Sequence, residues 1–240
     1  FFQADAGIRD AQESRGLGDV YKRQVKNYDT PLTIVGGGEF SSTNFHKCLK
    51  IAPKIIAVDS GLNFLDINKN VPDWIIGDLD SVKNLKVWKL KGSNIKKIEE
   101  QETTDFEKCL YSFNAPFFLG NAFLGERIDH SMAAISALVK MKDKKVFLLG
   151  KRDLLFHINK KIELNLEIGT RLSLFPLKDV VGISSEGLKY GIKGVSFSPG
   201  FKIGTSNEVL QSKVKIELSV SGMIIILPIK SFDKIVKFMN

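Results

Sequence analysis

Short apolar runs and polar or glycine-containing breaks alternate along residues 32–150. Residues 31–35, 54–58, 74–76, 117–120 and 146–150 are dominated by Val, Ile, Leu, Phe and Trp and are bounded by Gly, Pro or Asp, the pattern of short buried strands. Residues 95–98 make a weaker run. Between these runs apolar residues recur at helical spacing: Phe45, Cys48 and Leu49; Phe106, Cys109, Leu110 and Phe113; Met132, Ile135, Leu138 and Val139. Helix starts are legible as well. Ser41 or Ser42 is placed to cap the first helix, Thr104 and Glu107 form a Thr-x-x-Glu capping box for the second, and Asp129 is placed to cap the third. Strands alternating with helices predict a mostly parallel sheet covered on both faces.

Beyond residue 150 the period changes to two. Residues 162–168 and 214–220 alternate apolar and polar positions, and Ser221-Gly222 turns the chain into a third apolar run at 223–227. These predict antiparallel strands with one buried face. The expected fold is an α/β N-terminal domain over residues 25–155 and an all-β C-terminal sandwich over residues 156–240. Residues 187–190 and 204–208 break the alternation and read as turns, since Gly, Ser and Asn favour turns.

Residues 1–24 fit neither period. They lack a basic start followed by an apolar core, so they do not read as a signal peptide. They resemble translated sequencing-adapter DNA, and a non-native leader is expected there. Their charges cancel (Arg9, Arg15, Lys22 and Arg23 against Asp5, Asp10, Glu13 and Asp19), so the net +8 of the 240-residue chain belongs to the remainder.

The basic residues are scattered, which argues against nucleic acid as a partner and fits a surface that attracts small anions. No apolar run approaches the length of a membrane span. The two cysteines, Cys48 and Cys109, sit inside helix-like patterns without a Cys-x-x-Cys spacing. They are expected as reduced core thiols of a cytoplasmic protein.

Candidate chemistry gathers where strands end. In Pro72-Asp73-Trp74-Ile75-Ile76-Gly77-Asp78-Leu79-Asp80-Ser81 an apolar strand meets a glycine and then two acids one residue apart. Open α/β sheets bind ligands at the carboxyl ends of their strands. Two close carboxylates repel unless a cation lies between them, and oxygen ligands suit a hard ion such as Mg²⁺. The plainer alternative is a polar turn with two solvated aspartates. Asp59 ends the preceding strand. Asp105 opens a helix, as a third carboxylate aimed at a cation or as a simple complement to the helix dipole. Lys108 follows one turn on, within reach of a phosphate. Arg127 has the planar fork suited to phosphate. His130 is either a proton carrier or a satisfied residue of a helix start.

Six elements in order resemble the thiamine pyrophosphokinase family. They are Asp59-Ser60-Gly61-Leu62-Asn63, the run from Pro72 to Ser81, Thr104-Asp105-Phe106-Glu107-Lys108, Gly125-Glu126-Arg127-Ile128-Asp129-His130, Gly187-Leu188-Lys189-Tyr190, and Ser206-Asn207-Glu208. Ser60 and Glu126 replace glycines that the family commonly has, and Phe64 replaces an arginine.

The resemblance implies transfer of a pyrophosphoryl group from ATP to thiamine, with Mg²⁺ held by Asp78, Asp80 and Asp105. It implies a catalytic set of those three acids with Arg127. Nucleotide contacts would come from Asp59, Gly61, Asn63, Thr104, Lys108, Asp129 and His130. Thiamine contacts would come from Tyr190, Thr205, Ser206 and Asn207. A homodimer with its sites at the interface is implied too. A related pyrophosphokinase acting on another alcohol, such as a hydroxymethylpterin, is the alternative, and the last two elements argue against it.

Overall fold

A computed structural model describes residues 26–239. The leader expected at residues 1–24 lies outside the described residues. Strand β1 (Lys26–Asn27) pairs in parallel with β6 (Phe113–Asn114) in a small ribbon. The main sheet is built on β2 (Leu32–Val35), with β3 (Lys54–Val58) on one side and β7 (Phe118–Asn121) on the other, both parallel to it. Outward from β3 lie β4 (Trp74–Gly77) and β5 (Asn94–Lys97), and outward from β7 lies β8 (Val146–Leu149), again all parallel.

The connections carry α1 (Ser42–Ile51), a 3₁₀ segment (Asp59–Phe64), α2 (Leu85–Leu90), α3 (Asp105–Ser112) and α4 (Ile128–Lys140). Ser41 caps α1 by accepting from Asn44 N, and α3 carries the full Thr104/Glu107 capping box. Strands β2 and β8 are buried at every position, as the continuous apolar runs require of strands covered on both faces.

At β9 (Asp153–Ile158) the direction reverses. It pairs antiparallel with β8 and continues the same sheet through β16 (Met223–Pro228), β11 (Arg171–Pro176) and β14 (Gly204–Glu208). The result is one ten-stranded sheet in the order β14-β11-β16-β9-β8-β7-β2-β3-β4-β5. The expected division after residue 155 falls inside β9. A second sheet, ordered β10-β15-β12-β13, is formed by β10 (Lys161–Asn165), β15 (Lys213–Leu218), β12 (Val180–Glu186) and β13 (Ser196–Phe197). It packs on the antiparallel end of the first through Leu164, Val214, Ile216, Leu172, Leu174 and Ile225. Those residues are the inward positions of the period-two pattern, and the layers form the expected sandwich. The last helix, α5 (Phe232–Met239), adds Phe232, Ile235 and Val236 to that core.

Four local expectations differ from the structure. Phe113 leaves the helix. Its backbone is extended, it pairs with β1, and its ring packs 5.5 Å from Trp74, burying it more fully than another helical turn in solvent would. Asp129 does not cap α4, which begins at Ile128 after Arg127 and has no side-chain cap. Asp129 instead pairs with Arg127. Met132 does not join the buried stripe of α4 and is 66 % exposed; that stripe starts at Ala134 and runs through Ala137, Leu138 and Val139. Residues 204–208 are an edge strand and not a turn. Their weak β propensity is overridden by pairing with β11, with a register shift between Leu172 and Leu174.

Candidate functional site

Asp59 directly follows β3, Asp78 directly follows β4, and Asp105 opens α3. Parallel pairing of β3 with β4 brings the first two acids side by side at the carboxyl end of the sheet. One oxygen from each of Asp59, Asp78 and Asp105 lies within 4.8 Å of the other two, and all three residues are partly buried. Gly77 makes this approach possible. Its φ is +148°, and a Cβ there would lie 3.0 Å from Asp59 Cβ and 3.3 Å from Asp105 Oδ1. Gly61 is required for a different reason: a Cβ would meet Val35 O at 2.1 Å.

Each acid is held by a donor. Asp105 Oδ1 accepts from Lys108 Nζ at 3.0 Å and from Asp78 N at 3.3 Å. Asp78 Oδ1 accepts from Asp80 N at 3.2 Å. Asp59 Oδ2 accepts from Ser81 Oγ, whereas Asp59 Oδ1 is buried without a hydrogen-bond partner. Burial pushes the Asp105 carboxyl above the usual range. Lys108 opposes that rise, and the charges of Asp78 and Asp59 add to it. Three clustered carboxylates, one with an unpartnered buried oxygen, form a donor set that fits a hard divalent cation.

A cleft of about 440 Å³ opens over this cluster. The glycine turn 36–38 forms one wall, and Thr104, Asp105 and Lys108 form another. Arg127 and His130 stand at the rim, both exposed. Arg127 donates to both oxygens of Asp129, at 3.2 Å from Nε and 2.5 Å from Nη2. That pairing raises the guanidinium pKa and lowers that of the carboxyl.

The sequence-expected residues are therefore only partly brought together. Asp59, Asp78, Thr104, Asp105, Lys108, Arg127 and His130 share the cleft, while Asp80, Gly61, Asn63 and Asp129 lie outside its lining. Asp80 and Asn63 face solvent. Sequence reasoning grouped Asp80 with Asp78 and Asp105; among the described residues the carboxylates within 4.8 Å of one another are those of Asp59, Asp78 and Asp105. Leu79 takes a left-handed φ of 65° and buries its side chain, which turns Asp80 outward. Sequence reasoning also gave Ser81 no role. The position of Ser81 next to Asp80, at the close of the acidic run, was the available signal.

The C-terminal candidates form a separate group. Asn207 is buried, and its side chain is engaged by backbone. Oδ1 accepts from Tyr190 N at 3.0 Å and Glu208 N at 2.8 Å, and Nδ2 donates to Tyr190 O at 2.7 Å. The amide thus clamps the 187–190 loop to β14. Tyr190 is 62 % exposed, and Thr205 and Ser206 are exposed as well. Ser206 has a φ of 58°, held by its N–H to Ser173 Oγ at 3.0 Å.

This group sits on β14, at one edge of the ten-stranded sheet, whereas the acids follow β3 and β4 near the other. At about 4.8 Å between neighbouring strands, β14 and β4 are ~38 Å apart along the sheet.

Among the described residues no helix is long and apolar enough to cross a membrane. Residues 45–148 match the family described as "Thiamin pyrophosphokinase, catalytic domain", and residues 157–224 match "Thiamin pyrophosphokinase, vitamin B1 binding domain". The chain is 30 % identical over 188 residues to thiamin pyrophosphokinase 1 of Caenorhabditis elegans, covering 69 % of this chain and 75 % of that protein. It is also 30 % identical over 169 residues to thiamine pyrophosphokinase 1 of Oryza sativa subsp. japonica, covering 60 % of this chain and 62 % of that one. In fold it is similar to yeast thiamin pyrophosphokinase, with a TM-score of 0.70 at 18 % identity over 90 % of this chain and 94 % of that one.

Proposed function

The chain belongs to the thiamin pyrophosphokinase family and is an ATP-dependent thiamine diphosphokinase; we propose that its acidic cluster holds Mg²⁺ with the triphosphate of ATP and that the thiamine site is completed by a second copy of the chain. The observation that carries the metal reading is that one oxygen from each of Asp59, Asp78 and Asp105 lies within 4.8 Å of the other two, with Oδ1 of Asp59 buried and unpartnered.

In the reaction the primary hydroxyl oxygen of thiamine bonds to the β-phosphorus, the bond from that phosphorus to the α,β-bridging oxygen breaks, and AMP leaves. The hydroxyl proton passes to solvent or to a nearby carboxylate. A bound Mg²⁺ supplies charge neutralisation along the triphosphate. The protein supplies placement, which dominates such transfers.

Asp59, Asp78 and Asp105 are the inner acids, and Asp80, two residues beyond Asp78, is exposed to solvent and available to the cation from outside. The 36–38 turn offers close backbone approach to phosphate, as a strand-to-helix glycine turn does. Lys108 keeps two ammonium hydrogens beyond its bond to Asp105, and they serve the phosphates together with Arg127 at the rim. His130 lines the nucleotide side. Gly61 and Asn63 shape the 3₁₀ segment behind Asp59, Thr104 caps the helix that presents Asp105, and Asp129 orients Arg127.

On the other half, Tyr190, Thr205 and Ser206 form the thiamine surface, with Asn207 as its internal brace. The ~38 Å between β14 and β4 along the sheet favours a homodimer in which the acids of one protomer meet the β14 surface of its partner. This divides the labour between an ATP half, residues 25–155, and a thiamine half, residues 156–240. The two free, buried cysteines suit a cytoplasmic setting.

The test is AMP release from ATP and Mg²⁺ with and without thiamine. Thiamine-dependent AMP, lost in Asp78→Asn, is the expected result. ADP as the product, or normal Mg²⁺-dependent turnover by Asp78→Asn, contradicts the assignment.

A further inference from the structure

The Asp59 carboxylate is held by one oxygen only. Oδ2 accepts from Ser81 Oγ, and Oδ1 is buried with no donor. The two residues come from different strands: Asp59 follows β3 with a left-handed φ of 44°, and Ser81 lies in the turn after β4. The terminal torsion of an aspartate is broad, so an unheld carboxylate presents its oxygens over a wide arc. The backbone of Asp59 does not narrow that arc. Ser81 is the hydrogen-bond donor that does.

Ser81 is exposed and lies outside the cleft lining, so it neither fills a core nor faces the space a phosphate would occupy. Its hydroxyl has one polar partner of consequence, and that partner belongs to the three-acid group.

We propose that Ser81 is a positioning residue of the cation site: its hydroxyl fixes the Asp59 carboxylate in the orientation that brings one of its oxygens to those of Asp78 and Asp105. This rests on the three acids being the cation site. Outer-shell donors of this kind typically change metal affinity by about 10–100-fold when removed. The effect belongs to cation binding and precedes any nucleotide contact.

The experiment is titration of nucleotide-free protein with Mn²⁺, following free Mn²⁺ by electron paramagnetic resonance, on wild type, Ser81→Ala, Ser81→Thr and Asp78→Asn. The expected result is affinity about tenfold weaker in Ser81→Ala, wild-type affinity in Ser81→Thr, and little binding in Asp78→Asn. In turnover, Ser81→Ala needs more Mg²⁺ for half-maximal rate, while its KM for thiamine stays unchanged. Wild-type Mn²⁺ affinity in Ser81→Ala alongside loss in Asp78→Asn overturns the role of Ser81 and leaves the cation site standing. Equal weakening in the Ala and Thr variants also overturns it, because the hydroxyl is then not the cause. Binding by Asp78→Asn as tight as wild type, or no binding by wild type, overturns the site and this inference with it.

Discussion

Lys108 Nζ lies 3.0 Å from Asp105 Oδ1, with its side chain 2 % exposed against 27 % for its partner. The two are i and i+3 on α3, so the helix itself sets the pairing. An ammonium so deeply buried requires an opposing charge, and losing one member of such a pair costs about 3–5 kcal/mol. Lys108→Met keeps most of the side-chain volume and removes the charge. It is expected to lower the stability of metal-free protein by about 3 kcal/mol and to cut turnover at least tenfold. Added Mg²⁺ is expected to recover part of the stability, because a cation then faces the acids that Lys108 had faced. Thermal unfolding with and without Mg²⁺ reads both effects.

Gly77 gives a second test of the cluster. A methyl group there meets Asp59 and Asp105 together and also forces an L-residue to a φ of +148°. Gly77→Ala is expected to cost about 1–3 kcal/mol through strain and to lower kcat at least a hundredfold by spreading the acids. Denaturant midpoints and AMP release measured on the same preparation separate the two losses. A variant with lowered stability and normal turnover contradicts the assigned geometry.

His157 governs a pH effect away from the cleft. Its Nε2 is 3.0 Å from Ser221 Oγ on the antiparallel part of the sheet. Burial, with help from the charge of Lys178, pushes the imidazole down from 6.5 to about 4. Between those values the unfolded chain binds a proton that the folded chain refuses. The stability contributed by neutral His157 is therefore complete above pH 6.5 and is lost as pH falls toward 4. The slope is less than the ~1.4 kcal/mol per pH unit of a fully differential proton, because the ring is only partly buried. His157→Gln is expected to flatten the difference between urea midpoints at pH 7 and pH 4.5.

The composite site is tested by mixing two inactive chains. Asp78→Asn lacks the acid cluster, and Asn207→Ala frees the Tyr190 loop from β14. If each site takes its acids from one protomer and its β14 surface from the other, co-expressed variants recover about a quarter of wild-type activity, because half the dimers are mixed and each carries one intact site. Sites built within one chain recover none.

Much of this was legible in the sequence because the signals were local. The Thr104-x-x-Glu107 box and Ser41 specify helix starts within a few bonds, and a buried parallel strand announces itself by composition. The outward turn of Asp80 was not local. It depends on the φ of Leu79, which follows from packing that side chain beside Trp88 in the core under β3 and β4. Residues 204–208 misled for a similar reason: Gly-Thr-Ser-Asn is turn chemistry until β11 offers a row of free backbone groups. The role of Asn207 was equally hidden, since an amide that braces a loop and one that faces a ligand look alike in one dimension.

The antiparallel pairing of β8 with β9 joins the two halves by a backbone ladder. Enzymes with two lobes on a flexible strap close around substrate by swinging one lobe. That movement is denied here, because bending between the halves would tear hydrogen bonds in the middle of a sheet. Closure over a nucleotide is left to the loops that rim the cleft, at residues 36–38 and 125–127, and, in the proposed dimer, to the approach of a second protomer. The same ladder makes the β14 surface and the acids parts of one ruler, so in the proposed dimer the spacing between paired sites would be set by the width of the sheet.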